Sequence, residues 1–223
     1  MVMAMTDFAA EREAMVERQL KRRGISEPHI LDAFLKVPRE AFVSDELAHQ
    51  AYGDHPLPIE AGQTISQPYI VALMIQAAGI NPGDTVLEVG AGSGYAAAVM
   101  SRIAARVVAI ERQHDLVEIA RGRLHRLGYD NVEIVEGDGT KGCPDDAPFD
   151  AILAAASGSH VPRSLIAQLA PNGRLVMPLG EPAWVQELVK VTKQEDGILK
   201  QENLGGVRFV PLIGEEGWKD ARA

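Results

Sequence analysis

The chain has 223 residues, 46% of them hydrophobic, with 22 basic and 31 acidic side chains and a formal charge of −9. That is enough for one large domain with a sizeable core, and the acidic balance argues against nucleic acid as a partner, because phosphate binding needs clustered Lys and Arg. The single cysteine, Cys143, excludes an intrachain disulfide, and no apolar run of about 18 residues suggests a membrane span or signal peptide.

In chain order, Met1 to Met5 are expected to fray. Phe8, Met15, Val16 and Leu20 recur near one face of a helix over residues 6–23, and Gly24 stops it. Ser26 is expected to cap a second helix, with Pro28 in its first turn and Ile30, Leu31, Phe34 and Leu35 as its apolar side. Val37-Pro38-Arg39 ends that helix, and a short helix follows over residues 40–43. About 50 residues of short helices make a marginal core alone, so they read as a layer on a larger domain. Residues 51–68 are rich in proline and glycine, yet carry Tyr52, Leu57, Ile59 and Ile65. Such a loop packs onto something, and loops of this kind carry function. Helix resumes at Pro68 and runs to about Ala78.

From residue 85 the pattern alternates. Strands are expected over residues 85–89, 106–110, 132–136, 150–154 and 174–178, with helices over 95–103, 114–127 and 162–169 between them. This order implies a parallel sheet with helices on both faces. The tail differs: residues 186–192 and 198–212 read as two strands joined by the turn Gln194-Glu195-Asp196-Gly197, hence an antiparallel hairpin. One domain is expected over residues 1–223, divided into N-terminal helices and loop (6–80) and a Rossmann-like core (81–214).

The stretch Thr85-Val86-Leu87-Glu88-Val89-Gly90-Ala91-Gly92-Ser93-Gly94-Tyr95 organises the rest. A buried strand runs into three glycines at alternate positions and then a helix, which makes a cradle for an anionic or nucleoside-bearing ligand. In an open α/β sheet the ligand lies beyond the carboxyl ends of the strands. The second strand ends at Glu111, 21 residues after Gly90, where a carboxylate accepts hydrogen bonds from ribose hydroxyls. The third ends at Asp138, placed to receive a purine amino group, with Gly139 leaving room for the ring. A nicotinamide dinucleotide uses the same parts, but its Gly-x-Gly-x-x-Gly fingerprint needs a glycine where Tyr95 stands. The spacing and the terminal hairpin favour S-adenosylmethionine, with S-adenosylhomocysteine as its product.

Tyr52-Gly53-Asp54-His55-Pro56-Leu57-Pro58-Ile59 and Gly62-Gln63-Thr64-Ile65-Ser66-Gln67-Pro68-Tyr69 resemble the signature loop of protein-L-isoaspartate O-methyltransferases. The Leu87-to-Tyr95 cradle, Glu111-Arg112, Gly137-Asp138-Gly139, Pro148 to Ile152 and Arg208-Phe209-Val210-Pro211-Leu212 are similar to that family in the same order. The glycine cradle is shared with many methyltransferases; the segment from Gln63 to Pro68 is the distinguishing part. The resemblance implies a Rossmann-like methyltransferase fold: a mostly parallel seven-stranded sheet ending in an antiparallel β-hairpin, with an N-terminal helical layer.

It also implies methyl transfer to the free carboxylate of L-isoaspartyl or D-aspartyl residues in damaged proteins and peptides. The ester then loses methanol to a succinimide, which reopens partly to normal aspartate. By resemblance the cofactor is held by Gln63, Thr64, Ile65, Ser66, Glu88, Gly90, Ala91, Gly92, Gly94, Glu111, Arg112, Asp138 and Gly139. Ser66 is expected to orient the acceptor carboxylate, and it could also cap the helix beginning near Pro68. Thr64, Arg208 and Val210 are expected at the peptide site, and Asp54 either fixes the loop or lines the pocket. No His or Cys has metal-ligand spacing, so no metal is expected. A cytoplasmic monomer is expected.

The chain departs from the family pattern at Glu60-Ala61 and at Ala155-Ala156-Ser157-Gly158-Ser159-His160, where Gly158 is expected to add mobility near the methyl-transfer site. Two other readings stay open: a methyltransferase of the same fold acting on a small molecule, and a non-catalytic S-adenosylmethionine-binding module. The loop from Gln63 to Ser66 favours the repair enzyme over both.

Overall fold

A computed structural model describes residues 7–219; Met1 to Met5 and the expected helix start at Thr6 lie outside the described residues. Asp7 accepts a hydrogen bond from the Ala10 N–H at 3.1 Å and so caps α1 (Phe8–Met15). The helix continues through a π turn (Val16–Leu20) and a 3₁₀ turn (Lys21–Arg23), and ends at Gly24 with φ +92°. In α2 (Pro28–Lys36) the capping position is Glu27 rather than Ser26, and no side chain caps it. Ile30, Leu31 and Phe34 are buried, but Leu35 is 39% exposed, because one residue beyond Phe34 is a rotation of about 100° off the buried stripe.

A 3₁₀ turn (Arg39–Phe42) leads to the loop that the sequence left irregular. It contains a small antiparallel pair, β1 (Leu57–Pro58) and β2 (Thr64–Ile65), closed by the turn Glu60–Gly62. Helix α3 (Pro68–Ala78) follows. The core then runs β3 (Thr85–Val89), α4 (Tyr95–Ser101), β4 (Arg106–Glu111), α5 (His114–Arg126), β5 (Val132–Glu136), β6 (Phe149–Ala154), α6 (Arg163–Ala167), β7 (Leu169–Leu179), β8 (Gln186–Lys193) and β9 (Leu199–Val207). The seven-stranded sheet has the order β5-β4-β3-β6-β7-β8-β9, with β7–β8 and β8–β9 antiparallel and the other neighbours parallel.

Two boundaries differ from expectation for one local reason. The Phe149 N–H bonds the Gln168 carbonyl at 2.8 Å, so the chain joins the sheet at Leu169. Helix α6 therefore stops early, and Pro171-Asn172-Gly173 becomes a distortion inside β7, with Asn172 at φ +61°. At the other end β9 finishes at Val207, and Arg208 to Leu212 leave the sheet.

The N-terminal layer shares one continuous apolar cluster with a face of the sheet. Phe34 and Phe42 meet the ring of Tyr95 edge-on, at centroid distances of 6.2 and 5.6 Å. Burying each such ring contributes roughly 1.5–3 kcal/mol, which a separate helical layer of this size could not collect. The opposite face carries its own cluster, including Leu87, Ile110, Phe149, Leu165 and Met177.

Candidate active site

Strand order reverses between β3 and β6, and the glycine turn sits at that switch point. Gly90 and Gly92 have φ of +90° and +53°, which side chains resist. The turn is tied to β4: the N–H groups of Gly90 and Ala91 bond the Ile110 carbonyl at 2.8 and 3.2 Å. Glu111 completes the tie, its Oε2 accepting from the Gly92 N–H at 3.0 Å and its Oε1 from the Arg112 and Gln113 N–H groups at 2.8 and 2.9 Å. The carboxylate is therefore held in one orientation, with acceptor capacity left for a ligand. Beside it Glu88 is only 3% exposed. Burial, and then the charge of Glu111, hold its carboxyl well above the usual carboxylate range, only partly opposed by the Ala97 N–H, and its Oε2 has no protein partner.

A cleft of about 1390 Å³ opens over this turn. The expected residues Glu88, Gly90, Ala91, Gly92, Glu111, Arg112 and Gly139 border it from the sheet side, and Gln63, Thr64, Ile65 and Ser66 from the loop side. Arg208 and Val210 stand at its margin, and Ala155 and Ala156 line it as well. Its apolar wall includes Val71, Met74 and Leu153. A buried carboxyl with a spare oxygen, an oriented carboxylate and a wall without side chains suit a cationic nucleoside ligand with a ribose.

Three expected site residues stand elsewhere. Gly94 is not among the residues lining the cleft; it starts α4 at φ +86°, a left-handed conformation that favours glycine, and a Cβ there would lie 3.4 Å from Ala120 and Leu124 of α5. Asp138 is not among the lining residues; its Oδ1 accepts from the Thr140 N–H and hydroxyl (2.9 and 2.7 Å) and its Oδ2 from the Glu215 N–H (2.8 Å), which, as at Glu111, leaves acceptor capacity on Oδ2. Asp54 fixes the loop, as one of its two expected roles, through Arg23 at 3.0 Å and Gln67 at 2.7 Å. Arg23 in turn lies over the Tyr69 ring, 3.4 Å from its centroid.

The β1–β2 hairpin lies on the glycine turn. A Cβ on Gly92 would sit 3.5 Å from Ile59 Cδ1. Glu60 reaches across to Arg123 of α5 at 2.8 Å, and Ala61 next to it adopts φ +54°. So the departure at Glu60-Ala61 fastens the hairpin to the core. The hairpin's approach is held from the N-terminal layer: the Arg12 Nε–H bonds Tyr52 Oη at 2.7 Å, and the Tyr52 hydroxyl donates to Glu40. Arg39 is fully buried and donates to the Ala51 carbonyl at 2.7 Å and the Ser66 carbonyl at 2.8 Å.

Ser66 does not cap α3. The capping position is Gln67, and no side chain fills it. Among the described residues the Ser66 hydroxyl has no protein partner, while the residue borders the cleft. The 155–160 loop also differs from expectation. Ser157 exchanges backbone bonds with Val210 and Leu212, its carbonyl accepts from Trp218 Nε1, and the Gly158 N–H bonds the Pro178 carbonyl. A Cβ on Gly158 would meet the His160 carbonyl at 2.7 Å. Gly158 thus serves close packing in a fastened loop.

The sequence reading missed Arg39, taken only as the end of a helix, and Gln186, taken as an ordinary strand residue. Gln186 is buried; its Oε1 accepts from the Phe209 N–H at 2.7 Å and its Nε2 donates to the Phe209 carbonyl at 3.2 Å, holding the segment that carries Arg208 and Val210. Arg39 stands between Pro38 and Glu40 and Gln186 between Val185 and Glu187, so neither carries a local signal of burial. Among the described residues no group of three or more His, Cys, Asp or Glu could hold a metal, and no helix is long and apolar enough to cross a membrane.

This sheet order, the cradle at the switch point and the acidic end of the next strand define a Rossmann-like methyltransferase that uses S-adenosylmethionine. Residues 10–217 match the family model for protein-L-isoaspartate(D-aspartate) O-methyltransferase, and the chain belongs to that family. It is 53% identical over 207 residues, 93% of this chain and 92% of the other, to protein-L-isoaspartate O-methyltransferase 2 of Pelobacter propionicus. A solved protein-L-isoaspartate O-methyltransferase superposes with a TM-score of 0.84 at 35% identity, over 92% of this chain and 67% of the other. A putative one from Plasmodium falciparum, in complex with S-adenosyl-L-homocysteine, gives 0.78 at 28% identity, over 94% and 99%.

Proposed function

We infer that this protein transfers a methyl group from S-adenosylmethionine to the free carboxylate of L-isoaspartyl and D-aspartyl residues in damaged proteins and peptides. The observation that carries the reading is the unpartnered Ser66 hydroxyl on a loop clamped over a glycine cradle. When bound, S-adenosylmethionine supplies a methyl group already activated on a sulfonium. The acceptor is a carboxylate with an ordinary value of about 3.5, ionised at neutral pH, so no strong base is required. What remains for the protein is alignment and removal of water, which supply several kcal/mol of a barrier.

In this reading Glu111 holds the ribose, Glu88 and the Gly90–Gly92 turn take the rest of the donor, and Gly139 leaves space for its ring. Ser66 donates to the acceptor carboxylate without protonating it. Thr64, Arg208 and Val210 border the peptide, with Arg208 offering a positive charge to an anionic substrate. The Ile59 contact over Gly92 supports the hairpin as the water-excluding cover. The apolar cluster shared by the N-terminal layer and the sheet supports one domain over the whole chain. We place the protein in the cytoplasm as a monomer acting on damaged polypeptides, with no nucleic-acid or membrane partner; the charge of −9 supports the reading on nucleic acid, and the lone, buried cysteine the reading of a reducing compartment.

Labelled S-adenosylmethionine offered with a normal and an isoaspartyl peptide of one sequence tests the reading. Base-labile label is expected on the isoaspartyl peptide alone. Label on both peptides, or on neither, would overturn it. Ser66→Ala should lower turnover by about 10²-fold with cofactor affinity nearly unchanged; calorimetry showing affinity lost in step with rate would assign Ser66 to cofactor binding instead.

A further inference from the structure

The N-terminal layer contains a buried cation that packing alone does not explain. Arg39 has no exposed surface. Its Nε donates to the Ala51 carbonyl at 2.7 Å and its Nη2 to the Ser66 carbonyl at 2.8 Å. The guanidinium lies over the Tyr95 ring, 4.7 Å from the centroid, and its Nη1 has no partner. Among the described residues no carboxylate is bonded to it. A buried arginine satisfied only by two carbonyls and a ring face is costly to stability, and an apolar side chain of similar volume would cost less. An arginine here needs a reason other than stability.

Geometry supplies one. Ala51 and Ser66 are the two ends of the loop that carries the hairpin, 15 residues apart. One planar fork holds both ends at once in a fixed geometry, which the single flexible ammonium of a lysine does not impose. The platform beneath the fork, Tyr95, begins α4 directly after the glycine turn and borders the cleft. The same side chain therefore touches the frame of the donor cradle and the carbonyl of the residue that presents the acceptor. Its sequence neighbour Glu40 holds Tyr52, so one 3₁₀ turn governs the loop's entry twice over.

We propose that Arg39 is a positioning residue for methyl transfer, setting the Ser66 hydroxyl at a fixed place relative to the donor cradle by clamping both ends of the loop against Tyr95. This rests on the repair methyltransferase reading above. Arg39 acts through Ser66 and through the loop frame, so it governs alignment in the transition state more than affinity for the donor.

The test uses the full chain with Arg39→Lys and Arg39→Met, assayed below the unfolding temperature of each. S-adenosylhomocysteine affinity is read by calorimetry, and kcat and KM on an isoaspartyl peptide at saturating donor. Hydrogen exchange across residues 57–66 is followed with and without S-adenosylhomocysteine. Both variants should bind S-adenosylhomocysteine within about threefold of wild type, while kcat falls at least about tenfold for Lys and further for Met. Exchange in residues 57–66 should rise, and the added protection conferred by S-adenosylhomocysteine should shrink. Unchanged kcat in folded protein, or kcat and affinity lost in equal proportion, would overturn the proposal. If neither variant folds, the wild-type Arg39 Nε–H decides: its exchange should be slow and should slow further when S-adenosylhomocysteine binds, and no response would refute the coupling. A wild-type protein that methylates no isoaspartyl peptide refutes the functional reading instead, while the exchange measurements still report on the clamp.

Discussion

The latch between Glu60 and Arg123 gives the most direct handle on the hairpin that covers the cleft. The pair is 2.8 Å apart, with side-chain exposures of 37% for Glu60 and 8% for Arg123. Removing Glu60 strands a nearly buried guanidinium that already has one unpartnered nitrogen, Nη1. Exposed pairs are worth about 0.2–1 kcal/mol, and deleting one partner of a fully buried pair costs about 3–5 kcal/mol. Glu60→Ala falls between these limits, at about 1.5–2.5 kcal/mol. For a domain of this size each kcal/mol moves Tm by about 2–4 °C, so a fall of about 3–10 °C is expected. Changing Arg123 to Met as well removes the stranded charge and should restore most of the loss. Thermal unfolding of the two single variants and the double variant closes the cycle. Single-variant losses that simply add, with coupling below about 0.5 kcal/mol, would refute the latch. The same Glu60→Ala protein should bind S-adenosylhomocysteine more weakly, because the hairpin rests on Gly92.

Three further outcomes follow from the geometry. Gly94→Ala should cost about 1–3 kcal/mol in chemical denaturation, combining a left-handed backbone with contacts of 3.4 Å to Ala120 and Leu124; Gly24→Ala, also left-handed but with nothing within 4 Å, should cost about 1 kcal/mol. Glu88→Gln should raise Tm of the ligand-free protein at neutral pH and weaken donor binding. Glu88 holds its proton above the ordinary value of 4.5 in the folded state, so its contribution is complete below that value and is lost as pH rises through the folded one; wild type and variant should converge near pH 4. Cys143 should resist thiol reagents in the native protein, because burial, with Asp146 and Glu133 nearby, pushes its thiol up to about 11, leaving about one part in a thousand as thiolate at pH 8. Rapid native labelling would contradict this.

The sheet was legible because its signals are local. The central parallel strands β3, β4 and β6 are short, mostly apolar runs, and Glu111 stands at a spacing that the strand–helix–strand unit imposes. The sheet side of the cleft was legible for the same reason, since Gly90, Gly92 and Glu111, which line it, are close in sequence. What escaped depends on distant segments returning. Asp138 reads as a free strand-end carboxylate, and its tie to Glu215 appears only when the chain comes back 77 residues later. Gly158 reads as a source of mobility, and the bonds from Trp218 and to Val210 that fasten its neighbour Ser157 come from a segment about 50 residues or more away. The hairpin at Leu57–Pro58 and Thr64–Ile65 has strands of two residues, too short to show a period.

The anchors of that hairpin explain why the N-terminal layer belongs to the working site. Arg39 holds both loop ends, the Arg12–Tyr52–Glu40 group holds the entry, Asp54 joins Arg23 to Gln67, and Glu60 reaches Arg123. Three of these four ties come from residues before the glycine cradle begins, and none of the anchoring side chains from that layer needs to touch a ligand. The cradle alone specifies a donor, as it does across many methyltransferases. In the proposed reading the acceptor is specified by where the Ser66 segment rests, and that segment is tied to helices whose apolar faces pack on Tyr95. A change in the helical layer that leaves the cradle intact should therefore separate donor binding from methyl transfer, whereas a change in Gly90, Gly92 or Glu111 should reduce both together.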